Sequence, residues 1–266
     1  MTPIATDVWA SGEGYESYVG RWSRLVAQEF LRWLDVPRGA RWLDVGCGTG
    51  ALTRLVLDVA VPAAVAAIDR SPSFVEFARH RVADPRASFA VTDAQSLPQA
   101  TGSIDAVVSG LVLNFVPRPD AAVAEMRRVV RDGGVVGVYV WDYADGMQLM
   151  RVFWDAASAL DRRAMELDEA RRFPICEPAA LESLFRNVGL TRVESRAIDV
   201  PTRFQDFDDY WRPFLSGQGP APGYAMSLSD ERRAELRDRV RGALPIATDG
   251  SIDLVARAWA VRGIRR

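Results

Sequence analysis

Residues 42–51 read Trp-Leu-Asp-Val-Gly-Cys-Gly-Thr-Gly-Ala, and this stretch constrains the fold more than any other part of the chain. A short apolar run ends in an acid, Asp44, and Gly46, Gly48 and Gly50 follow at alternate positions. Leu52, Leu55 and Val56 then read as the first turns of a helix. A buried strand that turns this sharply into a helix leaves bare main chain where side chains would stand. A ligand can lie against such a turn, close to the free amides of a helix N-terminus.

The same rhythm continues downstream. Residues 41–45 are predicted as a first strand, 63–69 as a second, 87–92 as a third, 104–109 as a fourth and 135–141 as a fifth. Between them lie helices to about residue 59, from Ser71-Pro72 to Asp84-Pro85, and over 120–131, with Asp132-Gly133-Gly134 as a turn. Ser71 is placed as an N-cap with Pro72 at the first helical position, and Phe74, Phe77, Ala78 and Val82 on one face. Near-continuous apolar strands alternating with helices predict βαβ units and a parallel sheet covered on both faces. Open α/β sheets bind ligands just beyond the carboxyl ends of their strands, where Asp44, Asp69 and Asp93 fall.

Ahead of this core, residues 15–34 form an amphipathic helix with Tyr15, Val19, Trp22, Val26, Phe30 and Trp33 along one face. Beyond it the pattern changes. Helices are predicted over 146–161, 178–187 and 229–243, and an aromatic helical turn carries Phe204, Phe207, Tyr210, Trp211 and Phe214. Residues 217–223 read as an irregular loop. Residues 191–200 alternate as an antiparallel strand does, and 252–263 form a final strand.

Composition narrows the chemistry. All 33 basic residues are arginine, so lysine Schiff bases, a phosphate-loop lysine and a Tyr-x-x-x-Lys pair are excluded. The single histidine, His80, sits between arginines mid-helix, and the two cysteines, Cys47 and Cys176, are far apart; no zinc site, other metal site or disulfide scaffold is expected. A net charge of −2 and scattered arginines argue against nucleic acid as a partner. No apolar run reaches a membrane span and the first residues lack a leader pattern, so a cytoplasmic protein is expected.

The glycine turn alone also satisfies a loose dinucleotide fingerprint, Gly46-x-Gly48-x-x-Ala51. Asp44 opposes that reading, because an acid there repels a pyrophosphate and attracts a cationic ligand. With Ala67-Ile68-Asp69-Arg70-Ser71, Thr92-Asp93-Ala94-Gln95-Ser96-Leu97-Pro98, Ile104-Asp105-Ala106-Val107-Val108-Ser109 and the Gly133-Gly134 turn, the stretch over 41–141 resembles class I S-adenosylmethionine-dependent methyltransferases, in particular the small-molecule methyltransferases of ubiquinone and menaquinone biosynthesis. The resemblance implies a doubly wound, mostly parallel, seven-stranded Rossmann-like α/β sheet with its last strand antiparallel. It also implies one methyltransferase domain: a helical cap over 1–36, a cofactor-binding core over 37–145, lid insertions over 146–189 and 201–250, and strands over 190–200 and 251–263.

With S-adenosylmethionine as ligand, Asp44 takes the methionine ammonium, Gly46 and Gly48 let main chain lie against methionine and ribose, and Asp69 accepts the ribose hydroxyls. The resemblance makes Asp93 the partner of the adenine amino group and brings the Ala94 amide to a ring nitrogen. It also makes Arg21 the partner of the methionine carboxylate, with Tyr18 lining the same pocket. Cys47, Arg70, Gln95 and Gly110 complete the expected set. Many relatives carry a histidine after the fourth strand where this chain has Asn114, which can orient an acceptor but not take its proton. Asp142 and Tyr143 are further substrate-side candidates, with capping of the next helix and packing as their plainer roles. The aromatic residues of the insertions, Trp154, Phe173, Phe204, Tyr210, Trp211, Phe214 and Tyr224, suggest a planar or lipophilic small acceptor. The alternatives that stay open are non-methylating chemistry such as cyclisation on the same fold, an NAD-linked oxidoreductase, and either a monomer or a homodimer.

Overall fold

The computed structural model describes residues 20–217 and 219–266. Seven strands form one sheet in the order β3-β2-β1-β4-β5-β7-β6. They are β1 (Arg41–Val45), β2 (Ala64–Asp69), β3 (Ala87–Val91), β4 (Ile104–Gly110), β5 (Val130–Trp141), β6 (Thr191–Phe204) and β7 (Ile252–Ile264). The first five run parallel, with Leu43 opposite Ala66 on one side and Val107 on the other. β7 is reversed: Gly133 and Gly134 exchange main-chain bonds with Arg265, while Asp142 donates to the Arg257 carbonyl at the far end. The strand order reverses direction between β1 and β4, the switch point at which such sheets hold ligands.

Two compact units divide the chain. The core unit comprises Arg24–Val140, Ile175–Ile198 and Ala258–Arg266. Its central strands are mostly apolar because both faces are covered; Trp42, Leu43, Val45, Ala106, Val107 and Val108 are all buried. α1 (Arg21–Leu34) lays Val26, Phe30 and Leu34 into this core. Gly137 makes room for it, since a Cβ there would stand 2.7 Å from Leu34 and 2.9 Å from Phe30. α2 (Ala51–Val59), α3 (Pro72–Val82), α4 (Pro119–Val129) and α7 (Pro178–Asn187) supply the other helices of this unit. Ser71 caps α3 as expected, accepting from the Phe74 amide, but the helix buries Val75, Ala78 and Val82, and Phe77 is exposed.

Among the described residues, the aromatic unit takes 20–23, Trp141–Pro174 and Asp199–Arg257. It contains α5 (Gln148–Leu160), α6 (Glu169–Arg172), α8 (Phe207–Trp211), α9 (Pro220–Ser227) and α10 (Asp230–Ala243), with a 3-10 turn over Arg212–Leu215. Phe153 stacks on Phe214 at 4.5 Å and meets Trp154 edge-on at 5.2 Å. The Tyr210 hydroxyl donates to the Leu149 carbonyl at 2.7 Å, which satisfies the phenol at the centre of the cluster. The aromatic residues of the insertions are therefore mostly the core of this unit, with Phe173 half-buried.

Three local expectations are corrected. α4 stops at Val129 and β5 begins at Val130, because Val130 already pairs with Ile104. The next pairing is Ala106 with Val135, so residues 131–134 bulge out of the strand, and the expected Gly133-Gly134 turn is that bulge. Residues 220–227, read in part as loop, are helical: Pro220 and Pro222 fall in a first turn, where no intrahelical N–H is needed. β6 runs on to Phe204, with Ile198, Val200, Thr202 and Phe204 buried at alternate positions. Tyr15, Tyr18 and Val19 lie outside the described residues.

Candidate cofactor site

The site forms in the core unit where β1 gives way to α2. The amides of Gly46 and Cys47 both donate to the Ile68 carbonyl at 2.8 Å, which fastens the turn to the end of β2. Gly46 has φ +77°, and a Cβ there would stand 2.5 Å from the Val112 side chain, so the loop after β4 presses on the turn. Gly48 has φ +51°, and among the described residues nothing comes within 4 Å of where its Cβ would be. The main chain at Gly48 is thus clear of every described side chain, and a ligand can lie against it. The Cys47 side chain turns away into a cluster with Ala67, Ala78 and Phe89, and burial, reinforced by Asp44 and Asp69, pushes its thiol far up. Only the Cys47 main chain faces the turn's hydrogen-bond network.

Asp44, on β1, is 1 % exposed. Its Oδ2 accepts from the Thr53 hydroxyl at 2.6 Å, and its Oδ1 is buried without any partner. Burial pushes the carboxyl up to about 7, the Thr53 bond opposes that, and the nearby Asp69 adds to it. A buried carboxylate oxygen with no donor is costly, and a cationic group placed beside it relieves that cost. Thr53 is a contributor the sequence did not single out; the only signal was a polar residue on the buried face of α2.

Asp69, at the end of β2, is 9 % exposed. Its Oδ2 accepts the Gly48 amide at 3.0 Å and its Oδ1 accepts the Ser71 amide at 2.9 Å. Each oxygen keeps a lone pair, so the carboxylate is oriented by two amides yet still able to accept two hydroxyls. Asp93 follows β3 and is exposed; its Oδ1 accepts the Gln95 amide at 2.9 Å and the Gln95 side chain at 3.0 Å. Those bonds, with a smaller contribution from Arg70, hold its carboxyl below the usual range. Asp93 therefore serves a turn and retains a free edge, with Ala94 half-buried beside it and Arg70 exposed.

Gly110 ends β4 against the Tyr139 ring, whose hydroxyl would lie 2.4 Å from an added Cβ. Leu111 then takes φ +61°, an uncommon conformation for leucine, held by the hydrogen bond its N–H donates to the Tyr139 carbonyl at 2.8 Å. Asn114 follows on a 3-10 turn (Leu113–Phe115), buried, with its Nδ2 lacking a partner.

The structure thus brings Asp44, Gly46, Gly48 and Asp69 together, with Asp93, Gln95 and Gly110 at neighbouring strand ends. Arg21, Asp142 and Tyr143 belong to the aromatic unit. Arg21 donates from Nη1 to Asp209 at 3.1 Å and lies 4.3 Å over Trp22 and 4.7 Å over Phe204, while its Nε and Nη2 have no partner. Asp142 caps the turn before α5, accepting the Asp145 amide at 3.2 Å through Oδ1. Tyr143 is buried, tilted 5.9 Å from Phe173. Among the described residues no three His, Cys, Asp or Glu side chains gather as metal ligands, and no helix is long and apolar enough to cross a membrane.

Known proteins are similar to this chain in sequence and in fold. Residues 43–138 match the family described as "Methyltransferase domain". The 2-methyl-6-phytyl-1,4-hydroquinone methyltransferase of Synechocystis is 29 % identical over 82 % of this chain and 65 % of its own length. A malonyl-acyl-carrier-protein O-methyltransferase of Methylococcus capsulatus is 33 % identical over 58 % of this chain and 56 % of its own. For the first curated relatives, the matched part spans only 33 % to 65 % of their length. Among solved structures, phosphoethanolamine N-methyltransferase 2 of Haemonchus contortus in complex with S-adenosyl-L-methionine superposes with a TM-score of 0.62 at 15 % identity, over 99 % of this chain and 60 % of that one. The 4+2 cyclase SpnF superposes at 0.54 and 21 % identity, over 92 % and 80 %. Both show the shared fold.

Proposed function

We propose that the chain is a class I S-adenosylmethionine-dependent methyltransferase that moves a methyl group by in-line displacement to O, N or C of a small apolar or aromatic metabolite, a reading supported by the methyltransferase-domain match over residues 43–138 and by the similar methyltransferases. The observation that carries the reading is Asp44 Oδ1, a buried carboxylate oxygen with no partner among the described residues, next to a glycine turn whose Gly48 is clear of every described side chain. Both features suit a ligand with a cationic amino acid head.

S-adenosylmethionine supplies a methyl group on a positively charged sulfur. Asp44 holds the ammonium through Oδ1, with Thr53 fixing the other oxygen. Gly46 and Gly48 give main chain for methionine and ribose to lie against, and Cys47 contributes its backbone. Asp69, oriented by the Gly48 and Ser71 amides, accepts the ribose hydroxyls. Asp93 takes the adenine amino group, the Ala94 amide a ring nitrogen, and Arg70, Gln95 and Gly110 border them. Arg21 has Nε and Nη2 to offer the methionine carboxylate. Asn114 orients the acceptor through an amide; Asp142 and Tyr143 already cap and pack, and stand second to it. The aromatic unit is assigned the acceptor, since rings excluding water suit an apolar metabolite. Holding donor and acceptor in line is the main catalytic contribution asked of these residues.

Titration calorimetry with S-adenosylhomocysteine and with NAD tests the cofactor assignment. The parent protein binds the first and not the second, and Asp69→Ala weakens binding by about ten-fold or more, from the loss of charge-assisted bonds worth ~1.5–3 kcal/mol. Equal affinity in Asp69→Ala overturns the ribose role. Transfer of label from methyl-tritiated S-adenosylmethionine into an extracted product separates methylation from cyclisation on the same fold.

A further inference from the structure

Within the core unit, the loop after β3 is gripped by an ion pair on α4. At the front of the loop the Thr92 amide donates to the Asp69 carbonyl at 2.9 Å, and the Ser96 amide closes a turn on the Asp93 carbonyl at 3.1 Å. At the back, Glu125 Oε2 accepts the Leu97 amide at 2.9 Å. Arg128 donates to the Leu97 carbonyl at 2.8 Å and to the Gln99 carbonyl at 2.9 Å. The two side chains also hold each other in a fork, Arg128 Nε on Glu125 Oε1 at 2.7 Å and Nη2 on Oε2 at 2.8 Å. Leu97 is buried between these bonds, and the ion pair itself is partly exposed.

A partly exposed ion pair adds little to stability on its own. A bidentate fork that also takes three main-chain groups of one loop has a more specific effect, because it fixes where that loop sits. Residues 93–96 are pinned on one side at Thr92 and on the other at Leu97, and Gln95 aligns the Asp93 carboxylate from within the turn. We propose that Glu125 and Arg128 are positioning residues for purine recognition, holding the Asp93 carboxylate and the Ala94 amide at the spacing that selects a 6-aminopurine over a 6-oxopurine. The proposal rests on the cofactor reading above and adds what sets its base specificity. A 6-oxopurine reverses both partners: its oxygen meets the Asp93 carboxylate, and its protonated ring nitrogen meets the Ala94 N–H. A site built on hydrogen bonds rejects such an analogue strongly, provided that a supporting shell keeps its groups in place. Glu125 and Arg128 act through the loop and are assigned no contact with the base.

The test is titration calorimetry of the full chain with S-adenosylhomocysteine and with S-inosylhomocysteine, in which an oxo group replaces the 6-amino group. The parent binds the adenosyl ligand about ten-fold more tightly or better. Arg128→Met keeps the apolar stem and loses the fork; it lowers that ratio by about three-fold or more, chiefly by weakening the adenosyl ligand. Glu125→Gln keeps an acceptor for the Leu97 amide and loses the charge, and it lowers the ratio by about two-fold or more. An ion pair that only stabilises the fold weakens both ligands alike and leaves the ratio at the parent's value, which overturns the proposal. If Arg128→Met fails to fold, judged by circular dichroism, the near-isosteric Glu125→Gln decides: a ratio equal to the parent's overturns the proposal. The two readings fail differently. A parent that binds both ligands equally keeps the cofactor reading and overturns the positioning role, whereas a parent that binds neither removes the cofactor reading and this proposal with it.

Discussion

At the scale of single residues, a carboxyl group that keeps its proton up to about pH 7 makes the binding of a cation depend on pH. Asp44 must lose its proton before Oδ1 can pair with an ammonium, so part of the binding free energy at low pH is spent on deprotonation. Affinity for S-adenosylhomocysteine, whose amine stays protonated in this range, therefore rises from pH 6 to pH 8. Asp44→Asn, which cannot ionise, binds at least ten-fold more weakly at pH 8 and shows a flat profile, since a charge-assisted bond is worth ~1.5–3 kcal/mol. Calorimetry at three pH values measures both. A parent profile that falls over this interval would mean that Asp44 does not face the ammonium.

At the scale of elements, β5 and α1 show how a sequence conceals packing. Gly137 lies in the middle of β5, where glycine weakens a strand, and reads there as a simple propensity defect. Its reason is three-dimensional: Phe30 and Leu34 of α1 occupy the space its side chain would take. Gly137→Val pushes α1 off the sheet and costs roughly 1–3 kcal/mol, as overpacking does. Hydrogen exchange over Arg21–Leu34 then speeds up while the amides of β1 keep their protection; unchanged exchange in α1 would show that the helix tolerates the insertion. The parallel strands were legible because each apolar run ended at a turn signal, and Arg41–Val45 fell where expected. Ser71 was legible as a cap for the same local reason, and its Oγ does accept the Phe74 amide. What escaped was decided by pairing at a distance. Val130 joins β5 because Ile104 lies opposite, and 220–227 is helical although Gly and Pro suggest a loop. In the site, the acids and glycines could be read from spacing, whereas Thr53, Val112 and the left-handed Leu111 depend on how helices and loops return to the turn.

At the scale of the whole molecule, two buried acids set the response of stability to pH in one direction. Asp44 and Glu169 titrate well above their ordinary values, at about 7 and about 8, so between pH 4 and pH 8 the folded chain holds protons that the unfolded chain has released. Stability from these two groups is fully present below their unfolded values and is lost as pH rises through the folded ones. Surface acids such as Asp105 and Asp199 have lowered values through arginine partners and main-chain amides, and their contribution is lost instead as pH falls below the usual carboxylate range. The two trends place the stability maximum of the ligand-free chain near pH 5, on the acid side of neutrality. A cationic ligand changes this balance, because it stabilises only the folded form and prefers ionised Asp44. At a concentration of S-adenosylhomocysteine one hundred times its Kd, the gain is about 2.7 kcal/mol. At fixed ligand concentration the gain is larger at pH 8 than at pH 6, and the maximum moves toward neutral pH. Thermal unfolding from pH 4 to pH 9, with and without the ligand and in parallel with Asp44→Asn, follows the shift directly. In that variant the ligand's gain is the same at both pH values; a difference as large as the parent's would assign the shift to some other group.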